Sequence, residues 1–168
     1  KDTFTIKPGT GDIITNQEFT DVQLHIEWRT PIVEDTMGQN RGNSGIYFQQ
    51  RYELQILDSF ENKTYINGQA GSIYKQFSPL VNASKGPDIW QTYDIVFIAP
   101  TFNIDKSIKT NASMTVFHNG VLIQFNSILK GSTTYIGQPE YESHEKDSIL
   151  LQDHGSKVSF RNIWVREL

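Results

Sequence analysis

The sequence contains no cysteine, which excludes a disulfide framework and any thiol nucleophile. It has little positive charge. Fifteen Lys and Arg face nineteen Asp and Glu, for a formal net charge of −4, with no basic block or stripe. Nucleic-acid binding is therefore not expected. No apolar run approaches the roughly 20 residues that a membrane-spanning helix needs. No leader peptide is visible, and the abrupt start at Lys1-Asp2-Thr3-Phe4 reads as that of a mature or trimmed product. Runs of Ala, Leu, Glu and Lys at helical spacing are missing. So are a glycine-rich phosphate loop and a nucleophile elbow. Aromatic residues, by contrast, are plentiful: ten Phe, seven Tyr and three Trp in 168 residues. That balance suits a β-sheet protein, and the length suits one domain over residues 1–168 with a sizeable core.

The periodicity agrees. Val22, Leu24, Ile26 and Trp28 alternate with Gln23, His25, Glu27 and Arg29, an unbroken period of two. Further strand-like segments are 4–7, 45–49, 52–57, 90–98, 114–118, 121–125, 149–152 and 157–165, with another beginning within 12–15. Asn119-Gly120 supplies the two positive-φ residues of a type I′ turn and predicts a hairpin between 114–118 and 121–125. Ten to twelve short strands without a convincing helix predict a two-sheet sandwich. Residues 59–88 form a connection too long to be a simple link, and such connections are often functional. A short strand is expected within it near Gly71-Ser72-Ile73-Tyr74. Three Asn-x-Ser/Thr patterns, at Asn62, Asn82 and Asn111, carry little weight because the pattern is short.

One strand stands out chemically. In Arg51-Tyr52-Glu53-Leu54-Gln55-Ile56-Leu57-Asp58, side chains alternate between faces, so Glu53 and Gln55 share one. A carboxylate and an amide in mid-strand are costly if buried without partners. They make sense if that face lines a wet groove, which suits a sugar.

Eight segments, in order, are Val22–Arg29, Asn40–Tyr47, Tyr52–Ser59, Gly68–Tyr74, Trp90–Ile95, His118-Asn119-Gly120-Val121, Leu151-Gln152-Asp153-His154-Gly155 and Phe160–Val165. In this order and spacing, over about residues 5–168, the chain resembles the 3-keto-disaccharide hydrolase family of the concanavalin A-like lectin/glucanase superfamily. The resemblance implies an antiparallel two-sheet jelly-roll sandwich with a concave carbohydrate-binding face. It implies a carbohydrate substrate, a glycoside oxidised to a ketone at C3. It also implies a bacterial protein exported to the periplasm, the cell surface or the medium. Relatives usually carry an upstream segment with an early strand and a Trp. The late start here bears on closure of the sheet rather than on chemistry.

A C3 ketone acidifies the C2 proton, so that a base at C2 and donors near the C3 oxygen suffice for β-elimination at C1. Glu53 is the candidate base; its alternative duty is a structural pair with Arg29, Arg41 or Arg51. His154, in a loop after a strand, is the second catalytic candidate, as acid/base or metal ligand. Gln55, Arg29, Glu27, Asn43, Ser44, Tyr47 and Gln69 are the candidate substrate binders. Gln55 alternatively makes an inter-strand bond, and Glu27, Arg29 and His25 alternatively form a solvated outer face. Asn43 and Ser44 alternatively belong to a simple turn. Tyr47 and Tyr74 are candidates to stack on a sugar ring, with Trp28, Trp90 and Trp164 assigned to the core. His118, at a hairpin end, reads as exposed and inert. No cofactor and no protein partner is called for. Asp58, Gln69 and Asp153 are the residues considered for a calcium ion, although no metal-loop spacing is present. Two other readings share the scaffold: a non-catalytic carbohydrate-binding module, which would show a flat aromatic platform, and a conventional glycosidase, which needs Glu27 and Glu53 to face each other.

Overall fold

In a computed structural model, which describes residues 2–168, the chain folds into antiparallel sheets. In chain order the strands are β1 (Phe4–Thr5), β2 (Ile13–Phe19), β3 (Val22–Arg29), β4 (Ser44–Phe48), β5 (Tyr52–Ile56), β6 (Gln91–Ile98), β7 (Thr101–Phe102), β8 (Ile108–Thr110), β9 (Ser113–His118), β10 (Val121–Ile128), β11 (Asp147–Leu151) and β12 (Ser159–Glu167). A six-stranded sheet runs β1-β12-β3-β6-β9-β10 and a four-stranded sheet β2-β11-β4-β5, with β7 and β8 as a separate ribbon. The all-β sandwich expected from the sequence is the fold observed, and the Asn119-Gly120 hairpin is present with φ of 53° and 80°.

The sandwich closes because the period-two pattern puts one set of large side chains inward from each sheet. Val22, Leu24, Ile26 and Trp28 of β3 meet Tyr93, Ile95 and Phe97 of β6 in the core. From the other sheet come Ile46 and Phe48 of β4 and Tyr52, Leu54 and Ile56 of β5. Contacts cross between sheets at Phe48–Phe97, with ring centroids 4.8 Å apart, and where the Tyr93 hydroxyl donates to the Gln55 carbonyl at 2.9 Å. The odd-numbered residues of β3 and the residues Glu53 and Gln55 of β5 therefore point away from each other, on the two outer faces of the molecule.

Residues 59–88 wrap the free edge of β5. The strand expected near Gly71–Tyr74 is reduced to isolated bridges, Ile73 to Leu54 and to Phe77, flanked by Gln55 N–H donating to the Ser72 carbonyl and Gly71 N–H to the Gln55 carbonyl. Turn residues interrupt the segment before a ladder can grow. At the opposite edge β1 is only two residues long, and it leaves Ile163, Trp164 and Val165 of β12 partly exposed. Beside them an apolar groove of about 480 Å³ opens between the sheet edges, lined in part by Phe4, Ile13, Ile14 and Val165.

Three side chains lie elsewhere than the sequence suggests. His118 is not exposed. It is fully buried against Trp28 and Tyr93, bonded to Gln91, and burial pushes its pKa down to about 3. Of the three tryptophans assigned to the core only Trp28 is there; Trp164 stacks on His25 and Trp90 lies beneath the Arg29 and Arg161 guanidiniums, all on the outside of the six-stranded sheet.

The loop before β4 is anchored by a buried ion pair. Arg41 Nε donates to Asp58 Oδ2 at 2.9 Å, its Nη2 reaches the same oxygen, and Asp58 N–H donates to the Arg41 carbonyl at 2.9 Å. At Gly42, φ is 62° and a Cβ would lie 2.5 Å from that of Thr30, so only glycine fits the turn. Removing one partner of a buried pair strands the other charge. Asp58→Ala is expected to lower the unfolding free energy by about 3 kcal/mol, and the paired Arg41→Met/Asp58→Leu change to recover most of it, as read by urea denaturation.

Candidate functional site

The site grows from the register of β4 against β5, in which Tyr47 lies opposite Glu53 and Gly45 opposite Gln55. All four face outward from the four-stranded sheet. Gly45 is the residue that makes room: a Cβ there would sit 2.6 Å from Glu53 Oε1. The segment wrapping β5 fixes the strand, with Tyr74 N–H donating to the Glu53 carbonyl at 3.1 Å. Glu53 N–H donates to the Thr133 hydroxyl at 2.9 Å, which brings in the loop before β11. The Arg41-anchored loop adds Gln39 and Asn43. Together these elements enclose a cavity of about 430 Å³, with Glu53 and Gln55 at its floor, Tyr47, Tyr65, Tyr74 and Tyr135 as walls, and His154 among the other lining residues.

Glu53 is 3 % exposed. Burial pushes its pKa up to about 7, with a hydrogen bond from Tyr47 pulling weakly the other way. The structural duty considered for it is not the one it performs. Arg29 pairs with Asp88, Arg41 with Asp58 and Arg51 with Asp147, and among the described residues no cation lies within 4 Å of Glu53. The wall tyrosines respond to the same enclosure. Desolvation raises the pKa of Tyr47 and Tyr74, and the Glu53 charge adds to the effect on both, so these phenols stay protonated. Tyr65 and Tyr74 share a hydrogen bond of 2.5 Å, and Lys75 Nζ sits 3.9 Å from the Tyr65 ring centroid and 4.8 Å from that of Tyr135.

Of the residues singled out in the sequence, Glu53, Gln55, Asn43, Tyr47 and His154 do line one cavity. Tyr74, considered for stacking, lines it too. Four binders do not. Glu27 and Arg29 lie on the outer face of the other sheet, across the whole core. There Glu27 accepts from Arg161 and Asn162, the Asn162 bond being the first reason its pKa is lowered. Arg29 pairs with Asp88 at 3.0 Å. The outer-face alternative is the observed one, and His25, bonded to Asp94, shares it. Ser44 is fully buried and donates to the Gln152 carbonyl at 2.8 Å. Gln69 turns back on the Ile66 carbonyl. The three residues considered for calcium have separate employment. Asp58 holds Arg41, Gln69 is as just described, and the Asp153 carboxylate caps the backbone N–H groups of Thr10, Gly11 and Gly155. Asp153 thus turns away from His154. Among the described residues no cluster of three His, Cys, Asp or Glu side chains could hold a metal ion.

The sequence reading missed Gln39, Tyr65, Thr133, Tyr135 and Gln152. Tyr65, Thr133 and Tyr135 lie in loops and Gln39 in a short 3-10 turn, where no strand periodicity assigns a face, and Gln152, at the end of the predicted strand 149–152, lies just past β11. The one available signal was the length of the 59–88 connection, which carries Tyr65.

The pattern of the 3-keto-alpha-glucoside-1,2-lyase-like domain matches residues 3–166. The chain belongs to this family. Among solved structures, a Parabacteroides distasonis protein described as a "putative glycosyl hydrolase" is 48 % identical, with a TM-score of 0.95 over 99 % of this chain and 72 % of its own. Two more P. distasonis proteins with the same description show the fold at TM-scores of 0.65 and 0.66. They are 21 % and 22 % identical, over 95 % and 98 % of this chain and 85 % and 77 % of theirs. A search of curated proteins found no match.

A carboxyl whose pKa is raised by folding adds stability at pH below its unfolded value, near 4.5, and loses that contribution as pH rises through about 7. Glu53→Gln is therefore expected to match the wild type at pH 4 and to exceed it by about 3 kcal/mol at pH 8, in unfolding measured at both values. A stability difference independent of pH would mean that the carboxyl is not held in a desolvated site.

Proposed function

We propose that this protein cleaves glycosides whose sugar bears a ketone at C3, with Glu53 as the base that removes the C2 proton. The observation that carries the reading is a single carboxylate, buried and unpaired by any cation, at the floor of a sugar-sized cavity. Among the described residues that line the cavity there is no second carboxylate. A paired-carboxylate hydrolysis, which needs two acids flanking the bond, has no partner for Glu53. Glu27, the candidate for that role, is on the opposite face of the sandwich.

Proton abstraction needs one base only. With its pKa near 7, Glu53 in its ionised form is strong enough to accept a proton from the carbon beside a ketone. The electron pair of the C2–H bond passes through the enolate at C3 and then forms the C1–C2 double bond as the C1–O bond breaks. The leaving oxygen takes a proton, for which His154 at the cavity wall is the proposed donor. Water then adds at C1, giving up a proton that restores His154, and C2 recovers its proton from Glu53. The net change is addition of one water across the glycosidic bond. The hydrogen-bonded Tyr65–Tyr74 hydroxyl pair of the wall keeps one free O–H, the proposed donor to the C3 oxygen. Asn43 and Tyr47 are the proposed contacts to the remaining hydroxyls.

The alternative of a non-catalytic carbohydrate-binding module is less well supported. A module uses an exposed aromatic platform, whereas here the titratable group is buried at the base of a recessed cavity.

The test uses a 3-keto-glucoside and its unoxidised parent carrying the same aglycone. Release from the keto compound alone is expected, with a loss of at least 10³-fold in Glu53→Gln, in the range of a lost general base. Equal release from both compounds would contradict the elimination, and release from neither would favour the module.

A further inference from the structure

We infer that Gln55 turns its amide oxygen, not its nitrogen, toward Glu53, so that the resting carboxyl carries a proton, and that Gln39, Asn43 and Gln55 form a positioning network that sets when Glu53 is free to accept one. The base role of Glu53 rests on the function proposed above; the direction of the network does not.

The direction follows from its far end. Gln39 Nε2 donates to the Gly68 carbonyl at 2.8 Å, and Asn43 Nδ2 donates to the Gln39 carbonyl at 3.0 Å. Backbone carbonyls only accept, so these two amides cannot be turned round without setting oxygen against oxygen. Their own oxygens must then point inward, where both meet the end of Gln55, at 3.0 Å from Gln39 Oε1 and 3.2 Å from Asn43 Oδ1. Gln55 satisfies both only with Nε2. Its oxygen is left facing Glu53 Oε1 at 2.9 Å. Two oxygens at that separation are attractive only with a proton between them, and the carboxyl is the group that can supply it.

The opposite orientation has a local attraction. It would let Gln55 donate to Glu53 and to the Ser44 carbonyl, 3.3 Å away. It would also turn the Gln55 oxygen onto two oxygens that the backbone holds in place. A hydrogen bond between Gln55 and Glu53 at 2.9 Å is available in either orientation, because a protonated carboxyl can donate to the amide oxygen, so the turn gains only the 3.3 Å contact to Ser44, which does not offset two such clashes in a group that is 1 % exposed.

The surroundings of Glu53 supply one contact that favours ionisation, the hydrogen bond from Tyr47, and burial outweighs it. Tyr47 faces it from β4, Tyr65 and Tyr74 from the wrapping segment, Tyr135 from the loop before β11, and His154 from the loop after it. Lys75 is held over the Tyr65 and Tyr135 rings. Burial acts in the same direction as the network. Gln55 thereby becomes a positioning residue rather than a binder of substrate hydroxyls, and substrate entry or a rise in pH is what releases the base.

The experiment is a carbon-13 NMR titration of the Glu53 carboxyl in the substrate-free protein, with the signal assigned by its loss in Glu53→Gln. Gln55→Met keeps the size of the side chain and removes the amide. The Glu53 midpoint is expected to fall by roughly half a unit to one unit, the loss of one neutral hydrogen bond to the protonated form. Gln39→Met, which touches the network only at its far end, is expected to shift it in the same direction by less. A rise in the midpoint would mean that Gln55 donates N–H to the carboxylate, and an unchanged midpoint that the network does not act on Glu53; either overturns the inference. Because no substrate is present, this outcome is independent of whether the protein cleaves 3-keto-glycosides.

Discussion

The feature on which the site depends is a carboxyl group buried among neutral partners. Glu53 sits mid-strand, almost without solvent, while each arginine that could have neutralised it is committed to another acid. Such a group is a standing cost to the fold, of the kind that native structures retain at functional sites. The surrounding design serves it. Gly45 leaves space above the carboxyl, the edge of β5 is fixed by the 59–88 segment, and the Arg41–Asp58 pair holds the loop that carries Gln39 and Asn43. The stability lost at the cavity floor is offset by ordinary packing on the other side of the same strand, where Tyr52, Leu54 and Ile56 enter the core.

The fold was largely legible because it is written in period two. Val22–Arg29 alternates cleanly, and the sequence separates its two faces as the structure has them: Val22, Leu24, Ile26 and Trp28 on one, now inward, and Gln23, His25, Glu27 and Arg29 on the other. The Asn119-Gly120 turn fixed a hairpin by backbone geometry alone. What periodicity leaves undetermined is which sheet a strand joins. Nothing in 22–29 or in 52–58 says that the two lie in different layers. That is why Glu27 and Arg29 were grouped with Glu53, when the core of the sandwich separates them. The same ambiguity placed Trp164 in the core, although β12 turns it outward against His25.

The site was half legible. Glu53, Gln55, Asn43 and Tyr47 were recoverable because two adjacent strands and one short turn carry them. Gln39, Tyr65, Thr133 and Tyr135 were not, because they come from loops whose paths are set by long-range contacts such as Glu53 N–H to Thr133. Ser44 illustrates the limit within a single motif: it follows Asn43 in an extended chain, so it faces the other way, toward the Gln152 carbonyl. Asp153 and His154 part for the same reason.

The central claim is that Glu53 takes a proton from C2 of a 3-keto sugar. The most direct measurement is the rate of cleavage of a 3-keto-glucoside deuterated at C2, compared with the protiated compound, together with hydrogen exchange at C2 in heavy water. The account predicts a primary isotope effect on cleavage or, where a later step is slower, exchange at C2 of the unreacted substrate, and neither in Glu53→Gln. Cleavage with no isotope effect and no C2 exchange would contradict it.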